Sequence, residues 1–230
     1  MESHRGLKLA GRRDFSVLPS RSEARLEVEF GQLTDRGRVR SQNEDFLGHA
    51  LPETPTEARA RGWLFALADG VGGHERGEVA SQAAVESLLV GFREAPAAEP
   101  PAALLARLVQ DANARVLEMA LAAGPAAAGM STTLVACLLR YDRAVIAHVG
   151  DSRCYLIRQG QATQLTRDHT VAGDDLARSV LEHADLTAAA QALVGLASQR
   201  DGSDNISVQL IRIRSVERVG MYRGRPYRLR

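Results

Sequence analysis

The sequence predicts an α+β fold built on antiparallel sheets. Two observations carry this. Apolar residues recur at strand spacing early in the chain, at helical spacing through its middle, and at strand spacing again toward the end. The strand-like runs are also grouped, with short turn signals between them, rather than alternating one by one with helices. That grouping belongs to antiparallel sheets and not to a doubly wound parallel one.

The elements follow in order. Residues 26–33 begin by alternating apolar Leu26, Val28 and Phe30 with Glu27 and Glu29, as a half-buried strand does. Thr34-Asp35-Arg36-Gly37 reads as a turn. Residues 51–62, rich in Pro, Glu and Arg, read as a loop. A buried strand over 63–68 ends on Asp69, with Gly70, Gly72 and Gly73 close behind. Residues 78–94 place Val79, Ala83, Val85, Leu88 and Leu89 at helical spacing, and 102–122 do the same with Leu105, Leu108, Val109, Ala112, Val116 and Met119. A Pro/Ala linker at 97–101 separates the two helices, and a Gly/Pro/Ala link follows at 123–129. Short runs at 132–139, 144–149, 153–158 and 162–165 predict an antiparallel meander. Two more helices are expected over 174–184 and 187–199, then a last strand over 205–213. This divides the chain into a flexible basic arm (1–25), one domain (26–214) and a basic, solvated tail (215–230).

Composition narrows the function. The 230 residues suit one large domain. Lys and Arg number 29 against 28 Asp and Glu, and a net charge of +1 gives no reason to expect a nucleic-acid or membrane partner. Aromatic residues make up only 4%, so the core must be built from Ala, Leu and Val. Cys137 and Cys154 lie in apolar, strand-like stretches and are expected to be buried free thiols. No apolar run is long enough to span a bilayer, and the first residues lack the apolar segment of a signal peptide. The expectation is a cytoplasmic protein.

Four polar motifs could carry chemistry. Asp69-Gly70 puts a carboxylate at a strand end, where it is held rigidly and suits a hard cation such as Mg²⁺ or Mn²⁺, with the Gly70 carbonyl open as a further oxygen ligand. Arg40-Ser41-Gln42-Asn43-Glu44-Asp45 offers carboxylates beside a guanidinium able to fork onto a phosphate. Gly150-Asp151-Ser152-Arg153 and Asp204-Asn205 each lie next to a strand. Taken singly, each motif reads first as a turn or a solvated loop.

Taken together and in order, they are more specific. Arg40 to Asp45, Asp69 to His74 with Gly77-Glu78-Val79-Ala80-Ser81, Met130-Ser131-Thr132-Thr133, His148 to Arg153, Leu165-Thr166-Arg167-Asp168-His169 and Asp204-Asn205 resemble the metal-dependent protein phosphatases. These are the type 2C serine/threonine phosphatases in their bacterial form, and the resemblance runs from about Gly31 to Ile213. It implies a four-layer αββα sandwich: two central antiparallel sheets with helices on both outer faces. It also implies two Mn²⁺ or Mg²⁺ ions, with a third weaker one, activating water against a phosphoserine or phosphothreonine. On this resemblance Asp69 bridges the metals, Gly70 lends its carbonyl, Asp204 is a further ligand and Asp45 holds a metal-bound water. Asp151 matches the third metal, Arg40 grips the substrate phosphate, and His74 lines the cleft or protonates the leaving group. The implied partner is a phosphorylated protein, the target of a cognate Ser/Thr kinase.

The sequence departs from the family in one place. After Asp168-His169-Thr170-Val171 a family member continues through a helix, a flap segment and a strand ending in Ser-Asp-Gly, whose Asp is a core metal ligand. Here Ala172-Gly173-Asp174-Asp175 follows at once and reads as a helix start. Two readings are open. Either the sequence as read omits a stretch between Val171 and Asp174, or the chain lacks it and is a weak or non-catalytic phosphatase that binds a phosphoprotein or kinase.

Overall fold

The computed structural model describes residues 26–71, 76–127, 129–167, 183–222 and 225–228. The expected arm (1–25) and the helix expected over 174–184, apart from its last two residues, lie outside them. So does the junction between Val171 and Asp174.

The main sheet has five strands. β2 (Asp45–Ala50), β3 (Trp63–Val71), β5 (Leu134–Arg140) and β6 (Arg143–Val149) pair antiparallel in that order, and the two-residue β4 (Ser131–Thr132) extends β3. On one face lie the helices α2 (Gly77–Glu94) and α3 (Pro101–Ala123). Strand alternation explains the packing: Leu64, Ala66 and Ala68 of β3 and Leu134, Ala136 and Leu138 of β5 point toward Val85, Leu88 and Phe92 of α2 and Leu104, Leu105 and Leu108 of α3. Burying each such Leu contributes about 1.5–3 kcal/mol.

On the other face lies a two-stranded ribbon, β1 (Glu27–Asp35) with β9 (Ile206–Ser215). Val28, Phe30 and Ile211 of this ribbon meet Trp63, Phe65, Cys137 and Leu139 of the main sheet. Helix α4 (Leu186–Arg200) covers the ribbon's outer side. The approach is close: a Cβ on Gly31 would lie 2.7 Å from the backbone of Leu186. The result is the expected four-layer αββα arrangement, but its second sheet is narrow. Residues 145–148 of β6 are only half-buried, and Val149 is 52% exposed.

Helix boundaries match their local signals. Pro101 opens α3, and Asp185 caps α4 by accepting from the N–H groups of Thr187 and Ala188. Several expectations need correction. The 51–62 loop contains a short helix, α1 (Pro55–Ala60), whose start is signalled by Thr54: its Oγ1 accepts the Glu57 N–H at 3.1 Å, with Pro55 at the first position. β3 does not stop at Asp69 but runs on to Val71, because Gly70 and Val71 pair with β4. The meander breaks after β6: β7 (Tyr155–Arg158) and β8 (Gln161–Gln164) form a separate hairpin. The tail, expected to be solvated, turns back as a hairpin of β10 (Val219–Tyr222) and β11 (Arg225–Arg228). It is tied to the body where Glu217, 3% exposed, pairs with Arg59 of α1.

Cys137 and Cys154 are free thiols. Burial pushes the Cys137 thiol up to about 12, with Cys154 adding to the effect, and burial also raises Cys154. Since the thiolate is the nucleophile, both are expected to resist iodoacetamide at pH 8 in the native protein and to label fully in denaturant. Mass spectrometry of the two samples checks this. Among the described residues no helix is long and apolar enough to cross a membrane.

Candidate metal centre

The site begins at the paired ends of β2 and β3, where register sets Asp45 directly opposite Asp69. The Asp69 backbone is clasped from both sides. Its carbonyl accepts the Thr133 N–H at 2.8 Å and the Thr132 hydroxyl at 2.9 Å, and its N–H donates to Thr133 Oγ1 at 3.0 Å. Thr133 Oγ1 is in turn 2.6 Å from Ser152 Oγ, which joins the loop after β6 to the same anchor.

Glu44 is the second anchor. Its carbonyl accepts from Gly70 N–H at 3.0 Å and from the Ser81 hydroxyl at 2.5 Å, while its own N–H donates to Asn205 Oδ1 at 2.9 Å. The start of α2 is pressed onto β3 here: a Cβ on Gly70 would lie 2.2 Å from the Gly77 carbonyl oxygen and 2.8 Å from that of Glu44. The Asn205 amide donates to the carbonyls of Arg36 and Gln42, both at 2.9 Å. One side chain thus fixes the loop that carries Arg40 to the strand that follows Asp204.

The side chains divide into two groups. Asp45 and Asp69 share a hydrogen bond at the strand ends, Asp45 half-buried and Asp69 exposed on its outer side. Burial, then the charge of Asp45, then that of Asp204, raises the Asp69 carboxyl to about 7. Burial also raises Asp45, against the lowering effect of the Ser207 hydroxyl bonded to it. Arg40 and Asp204 form the second group. They meet as a fork, Nε to Oδ1 at 2.8 Å and Nη2 to Oδ2 at 2.9 Å, with side chains 43% and 64% exposed. Asp151 is exposed on the loop after β6, near enough for its charge to act on Asp69. His74 lies outside the described residues.

Two carboxylates pressed together at a sheet edge, with two more acting on them, disfavour their own ionisation and favour a cation. The donors are all oxygen, which fits a hard divalent ion such as Mn²⁺ or Mg²⁺. The fit is not finished in this arrangement. Among the described residues no three His, Cys, Asp or Glu side chains converge on one point, and Asp204 is paired with Arg40. Of the residues singled out from sequence, the fold brings Asp45, Asp69 and Gly70 together, sets Arg40 and Asp204 beside them as a pair, and leaves Asp151 at the edge. The supporting hydroxyls of Ser81, Thr133 and Ser207 were not singled out. The first two stand in motifs visible in the sequence, and the third is visible only through strand register.

Comparison with known proteins adds to this geometry. The family model described as protein phosphatase 2C matches residues 39–192. The serine/threonine protein phosphatase PstP of Mycobacterium tuberculosis is 42% identical over 149 residues, which is 63% of this chain and 26% of that protein. The serine/threonine phosphatase stp of Listeria innocua is 38% identical over 146 residues, 60% of this chain and 53% of that protein. The chain therefore spans only about a quarter to a half of these relatives. Its fold is similar to the catalytic domain of a serine/threonine protein phosphatase PstP in complex with two manganese ions, with a TM-score of 0.67 at 28% identity over 82% of this chain and 99% of that one.

Proposed function

Because the chain belongs to the protein phosphatase 2C family, we propose that it is a metal-dependent protein serine/threonine phosphatase, removing phosphate from phosphoserine and phosphothreonine of proteins phosphorylated by a Ser/Thr kinase. The observation that supports this most is the Asp45/Asp69 pair, two carboxylates set opposite each other by strand register and both raised in pKa.

Asp69, the Gly70 carbonyl, Asp204 and Asp45 are the groups that would hold two Mn²⁺ or Mg²⁺ ions, with Asp151 toward a third. When bound, such ions activate water for attack on phosphorus and neutralise the phosphate oxygens. The chain's own contribution is orientation. The threonine clasp fixes the backbone of Asp69, and the Glu44–Asn205 bond holds the Arg40 loop against β9. Arg40 presents a planar, permanently charged fork matched to phosphate oxygens. It must leave Asp204 to use that fork, and since both partners are solvent-exposed the exchange costs little.

Arg40→Ala is accordingly expected to leave the melting temperature unchanged while lowering kcat/KM about tenfold or more, mainly through KM. Steady-state kinetics beside a thermal melt reads both. The proposal as a whole is tested by hydrolysis of a phosphothreonine peptide by the full chain in Mn²⁺. Turnover that EDTA abolishes is expected. Peptide and Mn²⁺ binding without turnover would leave a phosphoprotein-binding module in place of the enzyme.

A further inference from the structure

Ser207 lies on β9, in the other sheet from Asp45, yet its Oγ is 2.6 Å from Asp45 Oδ2. It is also 2.7 Å from Thr34 Oγ1, and Thr34 stands directly opposite Ser207 in the β1–β9 register. Asn43 Nδ2 donates to the same Thr34 oxygen at 2.7 Å.

Asn43 Oδ1 accepts the N–H of Asp45 at 3.1 Å, so its amide nitrogen must be the group facing Thr34. Ser207 Oγ stands in donor geometry to both Asp45 Oδ2 and Thr34 Oγ1. Asn43, Thr34 and Ser207 thus form one hydrogen-bonded group, and Ser207 is its member that reaches Asp45. Ser207 engages the Asp45 carboxylate through Oδ2, and the same carboxylate shares a hydrogen bond with Asp69. Partners of this kind orient metal-holding groups in general.

We infer that Ser207 is a positioning residue, which reaches across the sandwich to aim the Asp45 carboxylate at the divalent-cation site. The inference rests on the metal-site reading above. Ser207 touches neither the substrate nor the ions and acts only through Asp45. A purely structural brace between the sheets would make the Thr34 and Ser207 hydroxyls equivalent. A positioning role makes them unequal, because Ser207 alone contacts Asp45.

The test is Mn²⁺ binding to the full chain by calorimetry, with the electron paramagnetic resonance signal of bound Mn²⁺ and a melt of the metal-free protein alongside. Ser207→Ala is expected to weaken Mn²⁺ binding about tenfold or more, Ser207→Thr to stay within about twofold of wild type, and Thr34→Val to fall well short of the Ser207→Ala loss, all with near-unchanged metal-free melting. Wild-type affinity in Ser207→Ala, or equal losses in Ser207→Ala and Ser207→Thr, overturns the inference while leaving the metal site standing. No Mn²⁺ binding by the wild type overturns both. Should Ser207→Ala fail to fold, Ser207→Cys keeps the volume with a weaker donor and is expected at intermediate affinity; wild-type affinity there is again contrary.

Discussion

Asp69→Asn is expected to lower phosphopeptide hydrolysis about a thousandfold or more with the fold intact. The Asp69 backbone is held through Thr132 and Thr133, and those bonds use only main-chain atoms of residue 69, so the amide takes the same place. What is lost is the negative charge at the point where Asp45, Asp204 and Asp151 all bear on it. The same substitution is expected to have the opposite sign on the metal-free protein. The Asp69 carboxyl is raised to about 7 in the fold, against an ordinary value near 4 in the unfolded chain. A raised acid contributes stability that is fully present below the unfolded value and is lost as pH rises through the folded one. Wild type therefore weakens between about pH 4 and 7, and the Asp69→Asn variant, which keeps only the raised Asp45 of the pair, weakens less. In EDTA the variant should melt higher than wild type at pH 8, with the gap closing toward pH 4. Melts across that range check the sign. Equal melts at pH 8, or full activity in the variant, would count against Asp69 as the central carboxylate.

Gly70→Ala is expected to damage both the fold and the site. Its Cβ would stand 2.2 Å from the Gly77 oxygen and 2.3 Å from the Gly77 carbonyl carbon, with the Glu44 carbonyl oxygen at 2.8 Å on another side. These are backbone atoms of α2 and of the residue preceding β2, so no side-chain rotation relieves the contact. Relief requires α2 to lift from β3, which also breaks the Ser81 and Gly70 bonds to the Glu44 carbonyl. A loss of about 3 kcal/mol or more is expected, at the upper end of overpacking costs, together with loss of Mn²⁺ binding. Urea denaturation with and without Mn²⁺ measures both.

These outcomes also mark what could be read from sequence. Helices α2, α3 and α4 were legible because their apolar residues keep a period near 3.6 over many turns. Asp69 was legible because a wholly apolar run meets a carboxylate and glycines. β2 was not identified: Gly48 interrupts it, and its first residue, Asp45, looks like loop. The close approach of Gly48 to Val85 and Leu89 of α2, which makes glycine useful there, exists only once the sheet and helix are packed. The fork between Arg40 and Asp204 joins residues 164 apart and depends on the Asn205 anchor, a tertiary fact. The Ser207 hydroxyl is equally silent in sequence. A serine on a strand has many uses, and this one follows from register across β1 and from the facing of two sheets.

The central claim is that the Asp45/Asp69 pair at the β2–β3 edge is a divalent-cation site. A manganese anomalous difference map from crystals grown in Mn²⁺ addresses it directly. The expected result is a peak at the Asp45 and Asp69 carboxylates, with Asp204 turned toward it and the fork to Arg40 opened. A map with no peak there, and Arg40 still forked onto Asp204, would contradict the account.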